Sequence, residues 1–393
     1  MKQALTDYLV QRDSHKSVIA GYPWFLDWGR DTLIVSRGLI AAGFISETRL
    51  ILKQFAEFEH QGTLPNVIFG ADTQNRDTVD APLWFIASCK ALTQKTGDNR
   101  FLDEKCGDRT ILEILRSIIS SYISGTPNGI VMDPPTGLIF SPSHFTWMDT
   151  NFPAGTPREG YPIEIQALWY HAIEFMSEID LPENGEKWKK LADQVLFSIR
   201  EFFYVEDIGY LSDCLHASPG MSAKDAEPDD ALRPNQLFAI TLGAVKDQDI
   251  MENMLRHCSE LVIPGAIRSL ADRPVTKPLE VVHNGRVLND PLHPYHGVYT
   301  GDEDTQRKPA YHNGTAWSWV FPSFCEAWVM AFGKHANEAA LALLASSSEA
   351  INVGCAGQLP EIMDGNYPHH QKGCDAQAWS VSEWLRVWLK LKK

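Results

Sequence analysis

Ile111, Ile114, Leu115, Ile118, Ile119 and Tyr122 recur at spacings of three and four residues, which places all six side chains on one helical face. Trp188, Leu191, Val195, Ile199 and Phe202 repeat the pattern, as do Val381, Trp384, Leu385, Trp388 and Leu389 near the carboxyl end. Each stripe reads as the buried side of an amphipathic helix. Wherever the chain shows a period, the period is helical.

The same reading predicts helices near 3–11, 31–43, 46–59, 77–96, 99–124, 162–178, 184–204, 234–244, 247–260, 313–333, 335–348 and 376–391. Several are joined by short connections, as in 31–43 with 46–59 and 162–178 with 184–204, which is how antiparallel helical hairpins are built. The fold expected is all-α, and an (α/α)6 toroid is the architecture that suits it; periodicity by itself also permits a helical solenoid. The remaining connections, about 60–76, 125–161, 205–233, 261–312 and 349–375, are long and rich in Pro, Gly, Asp and aromatics. Long irregular loops in a helical domain are usually functional. No interdomain linker or low-complexity run divides the chain, so it reads as one domain, 1–393.

A formal net charge of −15 disfavours nucleic acid and anionic membranes as partners. The seven cysteines are scattered singly without a C-x-x-C pair, which argues for reduced thiols and a cytoplasmic setting. No apolar leader opens the sequence, and no stretch approaches the ~18 apolar residues of a membrane span.

Chemistry concentrates in the loops. The segment Ala20 to Thr32 interleaves Tyr22, Trp24, Phe25 and Trp28 with Asp27, Arg30 and Asp31. Aromatic faces stack on the C–H faces of a pyranose while Arg and Asp hold its hydroxyls, so the segment reads as a sugar clamp; a Trp-rich core turn is the alternative. In the loop 125–161, Asp149 follows Phe145-Thr146-Trp147-Met148. A carboxyl beside Trp can be desolvated enough to stay protonated near neutral pH, as a general acid requires; a helix cap or loop hydrogen bond is the alternative. A second carboxylate, Glu361, stands in Leu359-Pro360-Glu361-Ile362-Met363-Asp364-Gly365. Inverting glycoside hydrolysis needs two such groups on opposite sides of the sugar, ~6.5–9.5 Å apart, and sequence distance is no obstacle to that geometry.

Other patterns point to little. His369-His370 has no third ligand at a recognisable spacing, and Asp302-Glu303-Asp304 lacks the Gly and terminal Glu of a calcium loop. Neither a metal nor an organic cofactor is expected. No G-x-S-x-G or placed Cys/His motif suggests acyl transfer.

Read together, GYPWFLDWGRDT, Leu64-Pro65-Asn66, Asn75 through Asp80 with Trp84, TWMD, PREGYPIEI, Arg233-Pro234-Asn235-Gln236, Tyr311-His312-Asn313-Gly314-Thr315, LPEIMDG and Gln377-Ala378-Trp379-Ser380 resemble the carboxyl-terminal glucosidase domain of glycogen debranching enzymes, the amylo-α-1,6-glucosidase family. The resemblance runs along nearly the whole chain. It implies an (α/α)6 barrel related to glucoamylases and an inverting hydrolysis that releases glucose from α-1,6-linked stubs of glycogen-like or limit-dextrin glucans. Asp149 would be the general acid and Glu361 the general base. Arg30 and Asp31 would grip the terminal glucose, with Trp28, Trp147 and Trp317 as aromatic walls. Asp80, Arg158, Glu159, Glu164, Asn235, His312 and Gln377 would be further substrate-binding residues or loop braces, and Glu159 and Glu164 rival Asp149 as the acid.

The resemblance also exposes departures. Only about a helix precedes the opening motif, where bacterial members usually carry an amino-terminal domain, so the chain is expected to be the catalytic domain without it. Trp317-Ser318-Trp319 replaces the more usual Trp-Pro-Trp, and Asp375 is an unexpected charge beside the last helix. A glucosidase acting on other short α-glucosides, or a glucan-binding domain without catalysis, would be the alternatives.

Overall fold

A computed structural model describes residues 1–182 and 184–393. Its helices are α1 (Lys2–Thr6), α2 (Gly29–Ala42), α3 (Ile45–Phe58), α4 (Ala81–Thr96), α5 (Ile111–Ser124), α6 (Ile163–Ile179) and α7 (Gly185–Phe203). They continue with α8 (Leu237–Thr241), α9 (Gln248–Cys258), α10 (Asp304–Arg307), α11 (Phe321–Phe332), α12 (Asn337–Ala345) and α13 (Ala378–Leu391). The molecule is mostly helical.

Six of these helices pack in succession: α2 on α4, α4 on α6, α6 on α8, α8 on α11 and α11 on α13, and α13 packs on α2 to close the circuit. Helices α3, α7, α9 and α12 lie against this circuit from outside, each beside the inner helix next to it in sequence. The stripes explain the division. In α5 the buried residues are the six of the sequence stripe, leaving the other face to solvent. In α4 and α6 burial runs around nearly the whole helix through Trp84, Phe85, Trp169 and Tyr170, as an element covered on all sides requires. One apolar core runs through the circuit.

Several boundaries differ from the sequence reading, each for a local reason. Residues 3–11 are not one helix: α1 stops at Thr6, and Leu9–Arg12 pairs antiparallel with His15–Val18 around Asp13 at φ 49°. The span 99–124 is interrupted by a hairpin, Lys105–Cys106 with Arg109–Thr110, turned by Gly107 at φ 61°. Helix α5 then starts from Thr110, whose hydroxyl and Glu113 form a reciprocal capping box. The span 234–244 is a 3-10 turn, Pro234–Gln236, followed by the short α8.

The all-α expectation also needs an amendment. The long loops carry short antiparallel strands, the largest sheet running Val262–Ile263, Ala266–Arg268, Ala316–Trp317, Ile362–Met363 and Gln371–Lys372. The helix expected over 313–333 begins only at Phe321 because Ala316–Trp317 is the central strand of this sheet. Strands of two or three residues are too short to show alternation, so the sequence reading took them as loop or, at Ala316–Trp317, as helix.

Candidate active site

The inner helices deliver the site with their amino-terminal ends. Arg30 and Asp31 occupy the first turn of α2, Asp80 precedes α4, Glu164 is in the first turn of α6, Asn235 precedes α8 and Gln377 precedes α13. Helix amino termini carry partial positive charge, which favours carboxylates buried there. Gly29 lets α2 start where it does: a Cβ at this position would lie 2.1 Å from the Pro65 carbonyl.

Arg30 is the hub of the first polar cluster. Its Nε donates to both oxygens of Asp80 at 2.8 and 2.7 Å, Nη1 to Asp149 Oδ2 at 3.0 Å, and Nη2 to the Thr146 carbonyl at 2.9 Å. Thr78 Oγ1 donates to Asp80 at 2.7 Å. Asp80 is thus committed to orienting Arg30, and Arg30 orients Asp149. Burial raises the Asp149 carboxyl above the usual range against the pull of Arg30. Its side chain keeps 33% exposure toward the cleft, whereas Asp80 keeps 2%.

Glu361 reaches the same place from the other side. Strand Ala316–Trp317 pairs with Ile362–Met363, Trp317 opposite Ile362, which fixes Glu361 next to the Trp317 strand. Tyr311 Oη donates to its Oε1, and the Cys374 backbone N–H donates to Oε2 at 2.8 Å. Burial pushes Glu361 up to about 7, with these two donors and the neighbouring Asp149 charge as smaller influences. Burial carries Asp31 further, to about 8, against the attraction of Arg30.

Aromatic rings close the pocket floor. His312 stacks on Trp317 with centroids 5.0 Å apart, and Trp147 meets Trp317 edge-on at 5.0 Å. Burial keeps His312 neutral, its titration far below the usual range. A narrow pocket is lined by Trp28, Arg30, Asp31, Trp147, Asp149 and Glu361, together with Tyr311, His312, Trp317 and Gln377. It opens into a cleft of about 800 Å³, where Asp149 and Glu361 again face the space beside Trp24, Phe25 and Tyr299. Three buried polar atoms of residues lining the narrow pocket, His312 Nε2, Gln377 Oε1 and Trp379 Nε1, have no protein partner among the described residues. Orphaned groups of this kind suit a hydroxyl-rich ligand.

Four candidates lie elsewhere. Arg158 donates through Nε to Asp213 at 2.7 Å and through both Nη atoms to Glu164 at 2.5 and 2.7 Å. Asn235 donates to Asp213 at 2.7 Å and accepts from Trp147 Nε1 at 2.8 Å. Arg158, Glu164 and Asn235 therefore form a buried network behind Trp147 and do not line the pocket. Glu159 borders a separate surface depression beside His216 and Glu227. Conversely, Tyr311 and Asp213 escaped the sequence reading. The only signal for Tyr311 was its place beside His312, and Asp213 had none.

Among the described residues no group of three or more His, Cys, Asp or Glu side chains is gathered to hold a metal ion, and no helix is long and apolar enough to cross a membrane.

Comparison with known proteins gives a consistent grouping. The sequence profile of the amylo-alpha-1,6-glucosidase family matches residues 3–386. Glycogen debranching enzyme of Saccharomyces cerevisiae is 24% identical over 403 residues; the match covers 79% of this chain and 25% of the yeast protein. An uncharacterized conserved protein from Thermus thermophilus superposes with a TM-score of 0.64 at 12% identity, over 98% of this chain and 97% of that one. A glutamate-to-alanine variant of a glycosidase in complex with glucose superposes at 0.61 and 13% identity, over 99% and 95%.

Proposed function

Because the chain belongs to the amylo-alpha-1,6-glucosidase family, a family of glycoside hydrolases, we propose that it is an inverting exo-glucosidase that releases glucose from α-1,6-linked stubs of a glucan. The closed succession of six inner helices supports reading the fold as an (α/α)6 toroid that forms one catalytic domain. The observation that carries the functional reading is the meeting of Asp149 and Glu361, brought from loops far apart in sequence, in one narrow aromatic pocket.

In this reading the terminal glucose enters the narrow pocket and stacks on its aromatic floor. Arg30 and Asp31 take its hydroxyls, while His312 Nε2 and Gln377 Oε1 gain the partners they lack. The rest of the glucan lies in the outer cleft. Glu361 removes a proton from a water as that water attacks C1. The bond between C1 and the bridging oxygen breaks, and the Asp149 carboxyl protonates the departing oxygen. The Cys374 N–H can only donate, so it favours the ionised form of Glu361 against the burial that raises it. Asp149 has one oxygen bound by Arg30 and keeps an exposed surface toward the cleft. The free thiols suit a cytoplasmic setting.

One observation favours a second reading with the roles exchanged. Arg30 attracts the ionised form of Asp149, whereas Glu361 titrates near neutrality. Proton NMR of the first product decides inversion: β-glucose must appear first. Azide rescue separates the roles, since a base variant such as Glu361→Gln regains turnover with azide as nucleophile, and the acid variant Asp149→Asn keeps turnover only on substrates with good leaving groups. Release of α-glucose as first product would overturn the inverting mechanism, and azide rescue of Asp149→Asn instead would exchange the two roles. A panel of α-1,6- and α-1,4-linked oligosaccharides tests the linkage; preference for α-1,4 would sink that part.

A further inference from the structure

Residues from the middle and carboxyl-terminal parts of the same six helices line a second cavity, about 670 Å³, at the other mouth of the circuit. Asp31 and Ala41 belong to the two ends of α2, and ten residues of helix span about 15 Å, so this cavity is well separated from the cleft. The molecule is strongly acidic, but this mouth is not. Arg37, Lys95, Arg386, Lys390 and Lys393 line it, and Glu326 supplies the carboxylate side chain among its lining residues.

The ion pairs show which cations are already satisfied. Arg386 bonds Glu326 at 2.6 Å and Glu383 at 2.8 Å, and Lys390 bonds Glu326 at 2.6 Å. Glu326 and Glu383 are thereby occupied. Arg37 has only a 3.4 Å contact from Nη1 to Glu383, although its side chain is 11% exposed and its guanidinium lies over the Trp84 ring. A guanidinium carries five N–H donors, so most of those on Arg37 lack a protein acceptor. Burial and the neighbouring Arg386 charge lower its affinity for its own proton, the sign expected of a cation short of counter-charge. Lys95 and Lys393 add exposed charge at the rim, while Ile40, Ala87 and Ala91 give the cavity an apolar, small-residue wall with room for a compact body.

Cations near helix carboxyl termini ordinarily offset the partial negative charge there. That explains Lys95, Lys390 and Lys393 near the ends of α4 and α13. It does not explain Arg37, which sits mid-helix with donors open to the cavity rather than to a protein acceptor. We propose that this mouth is a binding site for a small phosphate monoester, whose phosphate meets Arg37, Lys95 and Lys393 and whose organic part lies on the apolar wall. Planar, forked recognition of phosphate is what a guanidinium does best. The site is independent of the catalytic reading and would make the protein responsive to a phosphorylated metabolite.

Calorimetry on the full chain tests this, with glucose 6-phosphate, inorganic phosphate and glucose as probes. Saturable binding of glucose 6-phosphate is expected, tighter than that of inorganic phosphate and weakened by salt. Affinity should fall about tenfold or more in Lys95→Gln/Lys393→Gln, whose positions are exposed and leave the core intact, and in Arg37→Met. Asp31→Asn, in the other pocket, should retain it. Absence of binding, binding unchanged in the cavity variants, or binding lost in Asp31→Asn would overturn the proposal. Equal affinity for inorganic phosphate would overturn the monoester assignment.

Discussion

Arg30 Nη1 lies 3.0 Å from Oδ2 of Asp149, a residue 119 positions later in the chain, while the Nε of the same guanidinium is clamped on Asp80. One side chain at the start of α2 therefore fixes where the loop carboxylate can point. In the proposed reading, substrate grip and acid placement share this one piece of structure.

If Asp149 and Glu361 carry the proton transfers, Asp149→Asn and Glu361→Gln should each reduce kcat on an unactivated glucoside by about 10²–10⁴-fold with little change in melting temperature. Steady-state glucose release and thermal melting are the measurements. Either variant with wild-type turnover would remove that residue from the mechanism.

Tyr311→Phe removes a donor to the ionised form of Glu361, so the Glu361 value should rise further from about 7. With Glu361 as base, activity requires its ionised form, and the acidic limb of the kcat/KM profile should move to higher pH. With Glu361 as acid, the basic limb would move instead. A profile unchanged on both limbs would show that Glu361 sets neither.

Glu164 is a brace in this structure, paired with the buried Arg158. Glu164→Ala leaves that guanidinium with Asp213 as its paired carboxylate beside the Thr146 hydroxyl and should destabilise the fold by about 3 kcal/mol, seen in urea titration. Turnover per folded molecule should stay within about tenfold, whereas loss of a general acid would cost far more. The two quantities must be measured together.

Burial would raise Glu326, but Arg386 and Lys390 outweigh it and hold the carboxyl well below the usual range. A carboxylate depressed in the folded state stabilises the fold fully above its unfolded pKa of about 4.3, and that stabilisation fades as pH falls toward the folded value. Glu326→Gln should therefore melt lower than wild type at pH 7. The gap should narrow steadily below about pH 4.

Much of the helical scaffold was legible because a stripe such as Ile111 to Tyr122 has to be buried on one side. The failures cluster where a long-range partner overrides local pattern. Residues 313–320 read as helix, yet Ala316–Trp317 sits between two strands contributed from 266–268 and 362–363. Glu164 read as a rival acid because it lies at the helix start following the Asp149 loop, and only the fold shows it paired with Arg158, which also holds Asp213. Tyr311 carried no separate signal, since a tyrosine's hydroxyl gains meaning only from the carboxylate it finds.

By itself the sequence determined most of the segments that become long helices, that several pair through short connections, and which loops concentrate aromatics and carboxylates. These are local properties, set by residue spacing and turn chemistry. The tertiary structure decided which charged groups meet. It placed Asp149 on Arg30, set Glu361 between Tyr311 and Cys374, sent Glu164 and Asn235 behind Trp147, and turned Arg37 into the cavity at the opposite mouth with a single 3.4 Å contact to Glu383. Burial and neighbours, which set the proton affinity of a carboxyl, exist only once distant segments are folded against one another.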